Sequence, residues 1–209
     1  MLKKIVFRLL IISLTTWALS GCGGGGGGGN TPPNNGPIQE EIKQVLYDFA
    51  EAVGAYNVDG MLAPLDESDF KLTIKEGSIK YEKYYEKLEQ ELREDEQNQL
   101  AWRKSPDDDP NGHSYVLKLE LSNFKFSNLN SSGGIVVCDF IVKESFNEKS
   151  EPIITDKGTI TWGMVKKIGE WKMQTMINEF KPVTVNSLHI YNYQLSNRPK
   201  GFMFGKKAW

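Results

Sequence analysis

The chain has 209 residues, with 25 Lys and Arg against 27 Asp and Glu and a formal net charge of -2. That length holds one domain with extensions, and an apolar content of 39% suffices for an ordinary core. A mildly acidic balance without a basic block excludes nucleic acid and anionic lipid headgroups as expected targets.

Residues 1–21 have the layout of a secretory leader. Lys3, Lys4 and Arg8 form a positive start, and Leu9 to Leu19 is an apolar run too short to span a bilayer. The small residues Ser20 and Gly21 then precede Cys22. Leu19-Ser20-Gly21-Cys22 resembles the lipobox of bacterial lipoproteins. The resemblance implies cleavage before Cys22, a diacylglyceryl thioether on its sulfur and usually an N-acyl chain. One acyl chain holds a membrane marginally, at about 0.8 kcal/mol per buried methylene, whereas two or three hold it durably. Gly23 stands where some lipoproteins carry an aspartate that retains them at the inner membrane. The resemblance therefore implies a lipid anchor in the cell envelope, at the periplasmic face of the outer membrane where the source has one. An ordinary secretory leader with an incidental cysteine leaves the glycine run behind Cys22 unexplained. Loss of residues 1–21 removes three positive charges and no acid, moving the net charge from -2 to -5. With Cys22 lipidated, Cys138 is the one free thiol, so no intramolecular disulfide forms.

Residues 22–37 carry the lipidated cysteine and a tether of Gly, Pro and Asn without periodicity, whose reach is roughly 20–25 Å. A domain is expected over residues 38–181. Ile38, Ile42, Val45, Leu46, Phe49, Val53 and Tyr56 form a helical stripe opposite Glu40, Glu41, Lys43 and Asp48, predicting a first helix over 38–56. Asp59 is expected to cap a short second helix through Met61 and Leu62. Residues 70–74 alternate as a strand. A third helix is expected over 79–102, with Tyr81, Tyr84, Tyr85, Leu88 and Leu92 as its apolar side. Residues 105–112 read as a polar loop.

The second half reads as strands. Leu117, Leu119 and Leu121 differ in parity from Phe124 and Phe126, so a bulge is expected near Ser122-Asn123. After a turn at Ser131-Ser132-Gly133-Gly134, residues 135–142 are apolar on both faces, as in a central strand. Residues 155–167 form a third long strand. Ile168-Gly169-Glu170 turns into a fourth, expected to place Trp171, Met173, Thr175 and Ile177 on one face.

This element order resembles the nuclear-transport-factor-two-like (SnoaL-like) cone fold. Residues Ala55 to Leu62 (AYNVDGML) read like that family's turn after the first helix, and Thr161 to Met173 (TWGMVKKIGEWKM) like its closing hairpin. The resemblance spans about residues 38–180. It implies an α+β class: a cone-like, bent antiparallel sheet of four long strands and a short one, wrapped around the N-terminal helix, with two further helices. It also implies a pocket at the open end, used by some members for isomerase, dehydratase or hydrolase chemistry and by others for binding or assembly. Fold alone does not choose among these. Phe49, Tyr84, Phe140, Trp162, Met164, Trp171 and Met173 are the expected pocket-lining side chains.

Few groups suit chemistry. Asp139, on the face of Val137 and Ile141, is the one candidate catalytic acid; its plainer reading is a solvated or paired carboxylate. Cys138 lacks an adjacent base and reads as buried and inert. Asp107, Asp109 and Asn111 match the first half of a calcium loop, but Lys118 stands where a bidentate Glu is needed, so an Asx-rich turn is the better reading. No cofactor motif occurs. Residues 182–209 are rich in aromatic and aliphatic side chains, as in a cover packed back on the domain. The expectation is a non-catalytic envelope lipoprotein binding a small apolar molecule or an envelope protein. Its rivals are a small isomerase or hydrolase using Asp139, and an assembly subunit that forms a homodimer through its sheet.

Overall fold

The computed structural model describes residues 35–97, 115–145, 152–183 and 203. Cys22 and its tether, the loop with Asp107, Asp109 and Asn111, and most of the C-terminal extension lie outside the described residues. Among the described residues, no helix is long and apolar enough to cross a membrane.

Helix α1 (Gly36–Ala55) starts with Pro37 in its first turn and buries Ile42, Leu46, Phe49, Ala50 and Val53. Tyr56 ends it in the left-handed region, and the Asn57 backbone N–H donates to the Ala52 carbonyl. The five-residue α2 (Val58–Leu62) follows. Its cap is Asn57, not Asp59: the Asn57 side chain accepts from the Gly60 N–H at 3.0 Å. Asp59 sits in the first turn and instead pairs with Arg93 at 2.6 Å.

Strands β1 (Lys71–Glu76) and β2 (Ile79–Tyr84) form a hairpin, with Gly77 at φ +57° in the turn. This corrects the helix expected from residue 79; helix α3 spans Tyr85–Gln97. The tyrosines at 81, 84 and 85 suit a helical stripe, but the strand's alternation runs across it, burying Lys83 and exposing Tyr84. Lys83 points inward to an ion pair with Glu91, while Glu82 points outward to Lys71 and Lys80. Pairing along β1 satisfies six backbone positions, and that decides for the strand.

Four long strands complete the sheet: β3 (Tyr115–Ser127), β4 (Gly133–Ser145), β5 (Ile153–Lys167) and β6 (Glu170–Lys181). The order is β2-β1-β6-β5-β4-β3, antiparallel except for a parallel β1–β6 pairing. The architecture is the expected α+β cone, with two short strands where the sequence suggests one. The bulge falls between Ser122 and Lys125, with Asn123 at φ 55°. A second irregularity, between Gly163 and Met164, corrects the facing of β6. Trp171 and Met173 point inward, but after the extra residue it is Met176 and Asn178 that are buried, while Thr175 is exposed. On the inner face Phe49 meets Trp162 edge-on at 5.5 Å. Each such fully buried large side chain stabilises the fold by about 1.5–3 kcal/mol.

Candidate functional site

Between α1, α2 and the β5–β6 hairpin lies an open groove of about 640 Å³. Val45, Phe49, Ala52 and Ala55 of α1 form one wall, Ala63 and Pro64 after α2 a second, and Trp171 a third. The small side chains of α1 leave the space. The chain after α2 is stitched to β6: the Met173 N–H donates to the Pro64 carbonyl at 2.8 Å, and Lys172 Nζ to the Ala63 carbonyl at 2.8 Å.

Trp171 is fixed from two sides. Its indole N–H donates to Glu41 at 2.9 Å, and Lys166 lies 5.3 Å from the ring centroid while donating to the same carboxylate at 2.8 Å. The hydrogen bonds from Lys166 and Trp171 hold the Glu41 carboxyl below its usual range. The rim carries Asp48, Glu51, Glu170 and Lys172. An apolar floor under a charged rim suits an apolar group with a polar end.

Of the side chains expected to line a pocket, Phe49 and Trp171 border this groove. Phe140, Trp162, Met164 and Met173 are buried in the core of the sheet, and Tyr84 stands 60% exposed on β2. Asp139 lies on the outer face of β4, accepting from Asn123 Nδ2 at 2.8 Å, with Lys181 at 3.7 Å. Asn123, then Lys181 and Lys125, hold its carboxyl below the ordinary range, so it is a paired, ionised group outside the cone. The buried carboxylates described are others: Asp66, Glu91, Asp95, which accepts from the Tyr56 hydroxyl at 3.3 Å, Glu144, which accepts from Thr155 at 3.0 Å, and Asp156. Burial, then the charge of Asp95, pushes the Tyr56 hydroxyl pKa far up. Cys138 is 1% exposed, and burial raises its thiol to about 11. Among the described residues no three His, Cys, Asp or Glu side chains come together as a metal set.

The groove's small residues and Asn178 were not singled out in the sequence. Ala52, Ala55 and Ala63 are a visible run of small side chains, but only the tertiary approach of Trp171 makes them a wall.

No protein-family model matches the chain, and no curated protein is similar to it in sequence. Solved structures are similar in fold. The β subunit of benzoate 1,2-dioxygenase from Burkholderia mallei aligns with a TM-score of 0.54 at 13% identity, over 68% of this chain and 89% of that one. ActVI-ORFA from Streptomyces coelicolor aligns at 0.54 and 8% identity, over 69% and 98%. An NTF2-like protein with a cystatin-like fold from Novosphingobium aromaticivorans aligns at 0.50 and 9% identity, over 81% and 99%. At such identities the likeness speaks for architecture alone: the chain has the NTF2-like, cystatin-like α+β cone fold.

Proposed function

We propose that this chain is a cell-envelope lipoprotein, held by lipid on Cys22 at the periplasmic face of an outer membrane where one exists. Its cone domain binds a small apolar ligand in the groove between α1, α2 and β6, without catalysis. The observation that carries the binding reading is the groove itself, about 640 Å³ beside a tryptophan locked by Glu41 and Lys166. The anchor reading is supported by the leader, the Leu-Ser-Gly-Cys sequence and the glycine run behind it.

Two experiments test these parts separately. In fractionated cells the wild type is expected in the membrane and Cys22→Ser in the soluble fraction; membrane retention of the variant removes the anchor. For the groove, Ala55→Trp fills the space from an incompletely buried position. The variant is expected to weaken binding of the apolar dye 1-anilinonaphthalene-8-sulfonate at least tenfold at unchanged Tm. Undiminished binding rules the groove out.

A second reading, pairing of two copies through the outer sheet face, is favoured by the half-buried Val137, Ile141 and Ile177 and the exposed Ile135 on that face. Sedimentation equilibrium decides it, since a monomer at high concentration excludes the pairing.

A further inference from the structure

The walls of the groove between α1, α2 and β6 are apolar, so its rim sets the sign of charge that enters. Asp48 and Glu51 stand three residues apart on α1, and Glu170 and Lys172 border the groove from the β5–β6 hairpin. Residues three apart on a helix are neighbours, so the carboxylates of Asp48 and Glu51 repel one another. Both are exposed. Among the described residues no cation pairs with either: Asp48 accepts from the Gln44 amide at 2.7 Å, and Glu51 makes no hydrogen bond or ion pair. Lys172 is the one cation among the described residues that line the groove, and it is already engaged. Its Nζ lies 3.0 Å from Glu170 and donates to the Ala63 carbonyl at 2.8 Å. Beside Trp171, Lys166 and Glu41 likewise cancel, at 2.8 Å. The rim therefore sets three carboxylates against one ammonium, leaving two negative charges unmatched over an apolar floor. Charges of one sign beside low-dielectric walls concentrate ligands of the other sign.

We propose that the groove selects organic cations, with an apolar body against α1 and Trp171 and an ammonium group at the edge formed by Asp48 and Glu51. This selection rests on the groove being the ligand site, as proposed above, and adds the charge of the ligand to that reading. Exposed carboxylates each act weakly in water, so the selection is a matter of about tenfold between opposite charges.

The test uses the purified full-length chain at low ionic strength and the uncharged dye 1-anilinonaphthalene, which reports on the groove without regard to charge. Three naphthalenes of similar size then compete with the dye: 1-naphthylmethylammonium, 1-naphthalenemethanol and 1-naphthoate. The ammonium compound is expected to displace the dye at a concentration at least tenfold below the carboxylate, with the alcohol between them. Added salt should narrow the gap. Glu51→Gln should narrow it about threefold, since it removes one of the two unmatched charges. Glu86→Gln removes an equal charge from exposed α3, away from the groove, and should leave the gap unchanged. No dye binding, or dye binding that Ala55→Trp does not weaken, removes the groove and the selection with it. Dye binding that Ala55→Trp abolishes, with equal displacement by all three or displacement favouring the carboxylate, overturns the selection and leaves the groove standing. An ammonium preference that Glu51→Gln and Glu86→Gln change alike reflects net charge alone and also overturns the selection.

Discussion

Ile168 is the most exposed large apolar residue described, and it also adopts φ 51° at the tip of the β5–β6 hairpin. A β-branched residue there is strained by about 1–2 kcal/mol, whereas Asn tolerates the left-handed region and Asn-Gly is the preferred pair for this turn. Ile168→Asn is expected to raise stability by about 1 kcal/mol in denaturant melts. A loss of stability would show that the Ile168 side chain makes contacts worth more than its strain. Cys138 gives a second residue-scale expectation. Burial foremost raises its pKa from 9.0 to about 11, opposed in part by the nearby Trp162 indole. The folded value lies above the ordinary one, so the stability tied to the protonated thiol is complete below pH 9 and is lost as pH rises toward 11. Relative to Cys138→Ala, the wild type should lose ground across that window. The native thiol should also resist 5,5′-dithiobis(2-nitrobenzoic acid) until the protein unfolds. Rapid labelling of the folded chain would place Cys138 at an accessible site.

The central sheet depends on one missing side chain at the scale of the element. Gly158 of β5 lies in register between Phe140 of β4 and Phe180 of β6, and those rings meet over it. A Cβ there would collide with the Glu179 carbonyl and stand 2.7 Å from the Phe140 ring. Neither neighbour gives way freely, because Glu179 is in the ladder and Phe140 is 1% exposed. Gly158→Ala should therefore cost about 2–3 kcal/mol, read as a lowered Tm. A cost under about 0.5 kcal/mol would mean that the strands separate there without penalty.

The short segment after α2 is joined to the sheet, at the scale of the whole molecule, by a polar clasp. Asp66, 5% exposed, accepts from Lys167, Ser68 and Gln174. Burial alone would raise its pKa, but the hydrogen bonds led by Lys167 outweigh this and the carboxyl lies below its ordinary 3.8. With the folded value depressed, the clasp contributes its full stability above pH 3.8 and loses it as pH falls through the folded pKa. The stability gap between wild type and Asp66→Asn should be widest at neutral pH and close in acid. A gap independent of pH would show that the charge of Asp66 plays no part in the clasp.

Local periodicity made α1 and the four long strands legible from the sequence. The parity break between Leu121 and Phe124 even located a bulge, because a period of two leaves no other way to keep both sets inward. Cys138 was legible as a buried thiol because its strand is apolar on both faces and no base adjoins it, and it is 1% exposed. Residues 79–84 were not, since Tyr81, Tyr84 and Tyr85 fall at helical spacing, whereas the strand turns Lys83 inward and leaves Tyr84 exposed. The choice between strand and helix came from hydrogen bonds to β1, itself placed by a parallel partner about a hundred residues away in β6. The irregularity at Gly163 was equally silent, so Thr175 and Ile177 were assigned to the wrong face and Asn178 was passed over. The groove and the Met203–Asn178 contact are products of tertiary approach. Alanines 52, 55 and 63 form a wall only opposite Trp171, and Asn178 meets the Met203 carbonyl only because β6 turns it inward. The proposed leader and its cysteine are the converse case, a reading of residues in order along the chain, on which the fold of the domain has no bearing.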